Sequence, residues 1–333
     1  MLGPLLLFGA EPILSFSRRA ALIASLACPG AAILQAQSSS SGSPSVKLSG
    51  YIQGRETYEE HVGLTAAINR ARLAAAGSVA GDIAWRIQGE FRTGSTGSGR
   101  ASVSLQDAYI RWSRHSLGVQ LGQFKTPFAR EFLVSLTQVE TADRATVVDS
   151  LAPKRDIGIM ADYALGERAS ISAGVFNGEG QNITTNTDSS ALGVARITFR
   201  PMPYLLLGAN AARYFADSTR YGADASIELP SIVVRGEYVG QHRDALLADD
   251  DTGWYALAAA RVRPWLQPVL KYEWFDREGI SPAGTLKNRA WTAGLNLFPW
   301  GRAARLTLEY VSRKVGEPGV RKGLGLAQAQ VVF

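Results

Sequence analysis

The sequence predicts an all-β fold: a transmembrane, antiparallel, up-and-down β-barrel of about 16 strands with one long connection folded inward. Three observations carry this reading. The chain of 333 residues divides almost end to end into segments in which apolar and polar side chains alternate, the period of a strand with two different faces. Hydrophobic residues make up 46% of it, yet beyond the N-terminal segment no run approaches the ~18 apolar residues that a membrane-spanning helix needs. The chain ends Ala327-Gln328-Ala329-Gln330-Val331-Val332-Phe333, which puts apolar residues on one face and an aromatic at the free carboxyl terminus, as in the last strand of an outer-membrane barrel.

The elements follow in order. Residues 1–36 read as an export signal: Arg18-Arg19 form the positive end, 20–27 and 31–34 the apolar core, and Ala36 the small residue before cleavage. Cys28, the single cysteine, lies in that segment, so the exported chain has neither a disulfide nor a cysteine-metal site. Residues 37–45, rich in Ser and Gly, make a flexible lead-in. Candidate strands then run at 46–58, 64–76, 81–92, 102–113 and 116–123. After a long connection they resume at 156–164, 168–177, 190–200, 204–215, 219–229, 231–242, 252–263, 265–275, 286–298, 303–314 and 322–333. The total is even, as a single-chain bacterial barrel requires.

Two kinds of link alternate between the strands. Short ones, such as Pro201-Met202-Pro203, Leu229-Pro230-Ser231, Arg263-Pro264 and Pro299-Trp300-Gly301, fit periplasmic turns, because proline cannot donate to a ladder and ends the strand. Longer polar ones, at 93–101, 178–189, 241–251 and 277–286, fit extracellular loops. Within strands the two faces separate cleanly. Arg86, Gln88, Glu90 and Arg92 alternate with Trp85, Ile87 and Phe91; Thr292, Gly294 and Asn296 with Trp291, Ala293 and Leu295; Arg305, Thr307 and Glu309 with Leu306, Leu308 and Tyr310. A charged inner face implies water inside, although an antiparallel sandwich wet on its outer face has the same period. Trp85, Trp112, Trp254, Tyr255, Trp265, Trp274, Trp291 and Trp300 fall near strand ends, where interfacial girdles are expected.

Chemistry-bearing motifs are few. His61, His115 and His242 stand singly, without the spacing of a metal site. There is no Gly-x-Ser-x-Gly element, and the Gly-rich run at 94–100 is followed by no Gly-Lys-Ser/Thr, so neither a hydrolase nor a phosphate loop is indicated. Positive charge alternates along strands instead of clustering with aromatics, which argues against nucleic acid. Neither an enzyme nor a cofactor is expected.

Residues 124–155 break the strand rule: they are too long for a turn and lack the two-residue period. A long connection of this kind has a use in a barrel, where folding back into the lumen narrows the passage; an outward surface loop is the plainer alternative. A short helix is expected at 135–142. The flanks carry a resemblance. Gln106-Asp107-Ala108-Tyr109-Ile110, Leu121-Gly122-Gln123-Phe124-Lys125-Thr126-Pro127-Phe128, Pro153-Lys154-Arg155-Asp156-Ile157-Gly158 and Gly174-Val175-Phe176-Asn177-Gly178 resemble, in order, the signatures of the phosphate-selective porin O and P family. The resemblance is dense over about 100–180. It implies a sixteen-stranded and trimeric channel of the bacterial outer membrane, embedded in lipid, delivered by the outer-membrane assembly machinery and passing anions.

The residues themselves point the same way. Basic side chains outnumber acidic ones on the face read as inward, among them Arg70, Arg72, Arg86, Arg92, Arg111, Arg235, Lys271 and Arg305, and such rings favour small anions in a narrow aqueous pore. Lys125, Arg130, Arg144, Lys154 and Arg155 are the candidate constriction and anion-binding residues, accompanied by Glu131, Glu140, Asp143, Asp149 and Asp156. A phosphate or polyphosphate site needs several cations converging within hydrogen-bond reach, and this segment supplies two lysines. Phe333 is the expected assembly signal. The competing reading is a non-conducting barrel that serves as a structural or surface-interaction protein.

Overall fold

A computed structural model describes residues 46–92, 102–244, 250–277, 286–316 and 319–333. The expected export signal, the lead-in and the 93–101 link lie outside them. The strands are β1 (Val46–Glu59), β2 (Gly63–Ala80), β3 (Ile83–Arg92), β4 (Ser102–Arg114), β5 (Leu117–Lys125), β6 (Arg155–Leu165), β7 (Ala169–Phe176) and β8 (Leu192–Met202). They continue as β9 (Leu205–Tyr214), β10 (Ser218–Glu228), β11 (Ile232–Arg243), β12 (Asp251–Ala260), β13 (Leu266–Arg277), β14 (Leu286–Leu297), β15 (Ala304–Val315) and β16 (Val320–Val332). Each pairs antiparallel with its neighbours in sequence, and β16 pairs with β1, so the sheet closes as a barrel. Closure leaves no edge strand, so the ladder donors and acceptors pair inside the sheet, the condition for crossing hydrocarbon.

Burial is inverted relative to a soluble protein. Ile52, Leu73, Ile87, Ile110, Leu121, Ile159, Val175, Ile197, Leu270, Leu295, Leu308 and Val331 are exposed, while Gln53, Glu90, Arg196, Glu237, Lys271, Asn296, Thr307 and Gln328 are buried. The alternation read from the sequence is therefore lipid outside and polar inside, as required of a membrane barrel and not of a sandwich. Phe333 completes the closure: its N–H donates to the Gly50 carbonyl at 3.0 Å and its carbonyl accepts from the Gly50 N–H at 2.8 Å. The Phe333 ring lies on Gly50, where a Cβ would come within 2.7 Å of it.

The interior departs from expectation in one respect. On β8–β13 the inward positions Leu192, Val194, Val239, Tyr255, Leu257, Val269 and Phe275 are apolar and buried. Tyr255 thus belongs to an internal core and not to a girdle. What covers these side chains is the connection between β5 and β6.

Candidate functional site

The flanking motifs converge on one place. Gly122 on β5 has φ +126°, and a Cβ there would lie 2.2 Å from the Ala108 carbonyl oxygen, so both backbone angle and strand approach demand glycine. Across the sheet, Gly122 pairs with Gly158 and Gly158 with Phe176. The Phe176 ring occupies the space a Gly158 side chain would need, its nearest carbon 2.6 Å from the Cβ position. Phe124 stacks edge-on against both Tyr109 and Phe176, with centroids 6.0 and 5.5 Å away. The Asp156 carboxylate accepts the N–H groups of Ile157 and Gly178 at 2.7 and 2.8 Å. Glycines, aromatics and aspartate of the motifs thus build a rigid platform at the mouth of the connection. Its neck is tied by Thr126, whose N–H and hydroxyl both donate to the Lys154 carbonyl at 2.9 Å.

Between these ends the chain forms two short helices, α1 (Arg130–Leu133) and α2 (Thr146–Leu151). The helix expected at 135–142 is not there; that stretch is turns. Neither helix has a side-chain cap of its own. Carboxylates of the wall take that role: Glu237 of β11 accepts the Arg130 and Glu131 N–H groups at 2.7 and 3.1 Å, and Glu273 of β13 accepts that of Thr146 at 2.8 Å. Glu309 of β15 accepts the Ala142 N–H at 2.8 Å. Wall donors meet the segment's carbonyls in the same way. Arg305 reaches Val139 at 2.6 Å, Asn296 reaches Glu140 at 2.7 Å and Arg220 reaches Leu151 at 2.9 Å. All these partners are inward-facing, so residues 126–154 cross the barrel interior. Phe128, Phe132, Val147, Val148 and Leu151 press onto the apolar inward face of β8–β13, each contributing roughly 1.5–3 kcal/mol of burial.

The expected constriction cations take different roles. Lys125 Nζ donates to the carbonyls of Phe132, Leu133 and Val134 at 2.7, 3.0 and 3.1 Å. Arg144 donates to the carbonyls of Glu131, Phe132 and Val134 at 3.0, 3.2 and 3.3 Å. Arg130 pairs with Glu228 at 2.7 Å. Lys125 and Arg144 thus organise the segment's own backbone, whereas Arg130 ties the segment to the β10 wall. Lys154 is exposed at the neck, and Arg155 turns to Asp107 at 2.8 Å. Burial pushes the Glu131 carboxyl up to about 7 against the pull of Lys271 and the Ala145 N–H. Burial likewise brings Arg144 down to about 10, against Asp149 and Glu131. Burial would raise Asp143, yet the hydrogen bond and charge of Arg55 hold it below the usual carboxylate value.

Arg196 of β8 pairs with Asp224 at 2.7 Å, and most of the other inward cations described fall on two walls. On β10–β15, Arg235 bonds Glu140 and lies 2.9 Å from Glu228, Lys271 lies 2.6 Å from Glu273, and Arg305 is spent on a carbonyl. Each of these cations has a carboxylate or carbonyl partner of its own. On β1–β4 and the start of β6 carboxylates are shared instead. Glu90 is shared by Arg72 at 2.5 Å, Arg92 at 3.8 Å and Arg70 at 4.0 Å; Asp107 by Arg155 at 2.8 Å and Arg86 at 3.5 Å; Asp143 by Arg55 at 2.8 Å and Arg70 at 4.0 Å. Six arginines share three carboxylates. Arg111, further along β4, is matched by Asp162 at 2.6 Å. Charge counting along the sequence missed this division, because it depends on which acids the internal segment consumes.

A family model described as phosphate-selective porin O and P matches residues 52–238. The chain belongs to that family. It is a bacterial outer-membrane channel. Solved porin-like structures share its fold at low identity. The outer membrane channel DcaP of Acinetobacter baumannii has a TM-score of 0.65 at 14% identity, over 88% of this chain and 99% of that one. The anion-selective porin from Comamonas acidovorans gives 0.64 at 13%, over 87% and 100%. A trimer form of OmpT, an outer-membrane protein of Vibrio cholerae, gives 0.63 at 12%, over 88% and 100%. No curated protein matches the sequence. The match spans β1 to β11 and so covers both flanks of the internal segment and the arginine-rich wall of this porin.

Proposed function

We propose that this porin is a passive diffusion channel for small anionic solutes, which pass along the β1–β4 wall between its arginines and the internal segment at 126–154. The observation that carries the reading is the surplus on that wall, six arginines sharing three carboxylates. The carboxylates of the opposite wall are engaged with the segment and its partners, which leaves positive potential in the remaining space. Inorganic phosphate and short polyphosphates are the first solutes to try, since guanidinium forks match phosphate oxygens. The fold shared with the trimer form of OmpT supports a homotrimer in lipid. The anion-selective porin of the same fold is consistent with the charge argument but does not carry it.

The test is single-channel conductance of the refolded protein in a planar bilayer, with the reversal potential read in a salt gradient and phosphate titrated in. Discrete steps with an anionic reversal potential are expected. A cationic reversal potential would refute the assignment. Well-folded protein that does not conduct would make the segment a plug and the barrel a structural or surface-interaction protein.

A further inference from the structure

The charges considered so far face inward. A second set faces the membrane at the end of the barrel that carries the long connections, the extracellular end by the usual orientation of such barrels. The register places Trp274, Arg289, Lys314 and Arg321 in one row across β13, β14, β15 and β16. Arg289 shares a face with Trp291, and Lys314 with Tyr310; Trp291 and Tyr310 are 48% and 58% exposed on the outside of the barrel. Three cations directly opposite one another across neighbouring strands repel, an arrangement that destabilises a sheet unless an anion bridges it. Among the described residues one carboxylate on that face, Asp276, meets the row. It is already held by Arg289 at 2.6 and 3.2 Å.

The row is ordered as well as charged. Arg289 sits 4.4 Å from the Trp274 ring centroid, and Arg321 donates to the Ser312 hydroxyl at 2.7 Å. Lys314 has no ion-pair partner among the described residues. Immediately toward the membrane centre lie Tyr272 and Trp291, in tilted ring contact with centroids 4.6 Å apart, and then the exposed Leu270, Leu295 and Leu308. From rim to centre the surface therefore reads cations, aromatics, aliphatics, the profile of a phosphorylated headgroup, its sugar and its acyl chains.

We propose that the outer face of β14–β16 is a binding site for a phosphorylated glycolipid of the outer leaflet, with Arg289, Lys314 and Arg321 on its phosphates and Trp291 and Tyr310 beneath the sugar. Native mass spectrometry of the purified oligomer, titrated with diphosphorylated lipid A and with the same lipid stripped of both phosphates, tests this. At about a factor of five per cation near a charged headgroup, the R289Q/K314Q/R321Q variant and the stripped lipid should each bind on the order of a hundredfold more weakly than the native pair. Single-channel conductance should not change. Equal affinity for the two lipids, or native affinity in the triple variant, would overturn the proposal. So would displacement of the lipid by inorganic phosphate alone, which would make the row a free-anion site. Dissociation of the variant into monomers that bind the lipid as before would assign the row to contact with a second copy. Should the triple variant fail to fold, K314Q alone is expected to weaken binding about fivefold, and no effect there would be equally decisive.

Discussion

Neutralising Arg86 and Arg92 together should abolish most of the proposed anion preference without disturbing the fold. These two arginines are chosen because each shares its carboxylate with a closer partner. Asp107 keeps Arg155 at 2.8 Å when Arg86, at 3.5 Å, is removed, and Glu90 keeps Arg72 at 2.5 Å when Arg92, at 3.8 Å, is removed. No buried acid is left alone, so the heavy penalty of an unpaired charge does not arise. A solute ion passing roughly 6 Å from a surplus charge in water gains or loses about 0.7 kcal/mol. Anion and cation then differ by about 1.4 kcal/mol, close to a factor of ten. With salt near 0.1 M screening beyond about 10 Å, each charge acts mainly on ions beside it. R86Q/R92Q should therefore lower the anion-to-cation permeability ratio by on the order of tenfold or more. The assay is the reversal potential in a salt gradient, with heat-modifiable mobility confirming the folded barrel. An unchanged reversal potential would mean that the permeating ions do not follow this wall.

Other perturbations probe the segment and the closure. Glu309→Ala leaves the Ala142 N–H without its acceptor at a cost of about 1–3 kcal/mol. The apolar packing still holds the segment, so noisier current and faster amide exchange at 140–144 are expected while conductance persists; a silent current trace and native exchange would count against the clamp. The Glu131 carboxyl titrates at about 7 against an ordinary 4.5. The segment's attachment should then be strongest below about 4.5 and weaken as pH rises to about 7, by on the order of 3 kcal/mol. Hydrogen exchange across 126–154 reads this, and Glu131→Gln should flatten the dependence; identical slopes would exclude Glu131 as its source. Deleting Phe333 removes both hydrogen bonds to Gly50 and the ring that covers it. Reduced insertion and faster periplasmic degradation are expected, and normal outer-membrane levels would show that closure does not need it.

The strands were legible because their cause is local in the chain: lipid on one side and water on the other impose a two-residue period, and Arg86 to Arg92 or Leu306 to Tyr310 display it without reference to anything distant. Two features were not legible for the opposite reason. The helices of the segment lie at Arg130–Leu133 and Thr146–Leu151 because Glu237 and Glu273, about a hundred residues further on, accept their first N–H groups. No local capping signal marks them. Along β8–β13, residues such as Leu192, Val239, Tyr255, Leu257 and Val269 occupy inward positions yet look lipid-facing. Runs such as Trp254-Tyr255-Ala256-Leu257-Ala258-Ala259 are apolar on both faces. That double apolarity is the signal available in the sequence for a wall covered from within.

The same division explains why whole-chain charge is a poor guide to the pore. A formal net charge of +6 is modest for a channel expected to prefer anions, and a count of inward residues mixes cations that a solute can meet with cations bound to the segment. Lys125 and Arg144 are spent on carbonyls of the segment, whereas Glu237, Glu273 and Glu309 are spent on its N–H groups. Packing the segment against the acidic wall hides those carboxylates behind peptide dipoles and apolar side chains. The arginines on the far side, around Glu90 and Asp107, are left with fewer counter-charges than they could satisfy. On the proposed reading, the segment would set selectivity by where it lies as well as by how far it narrows the passage.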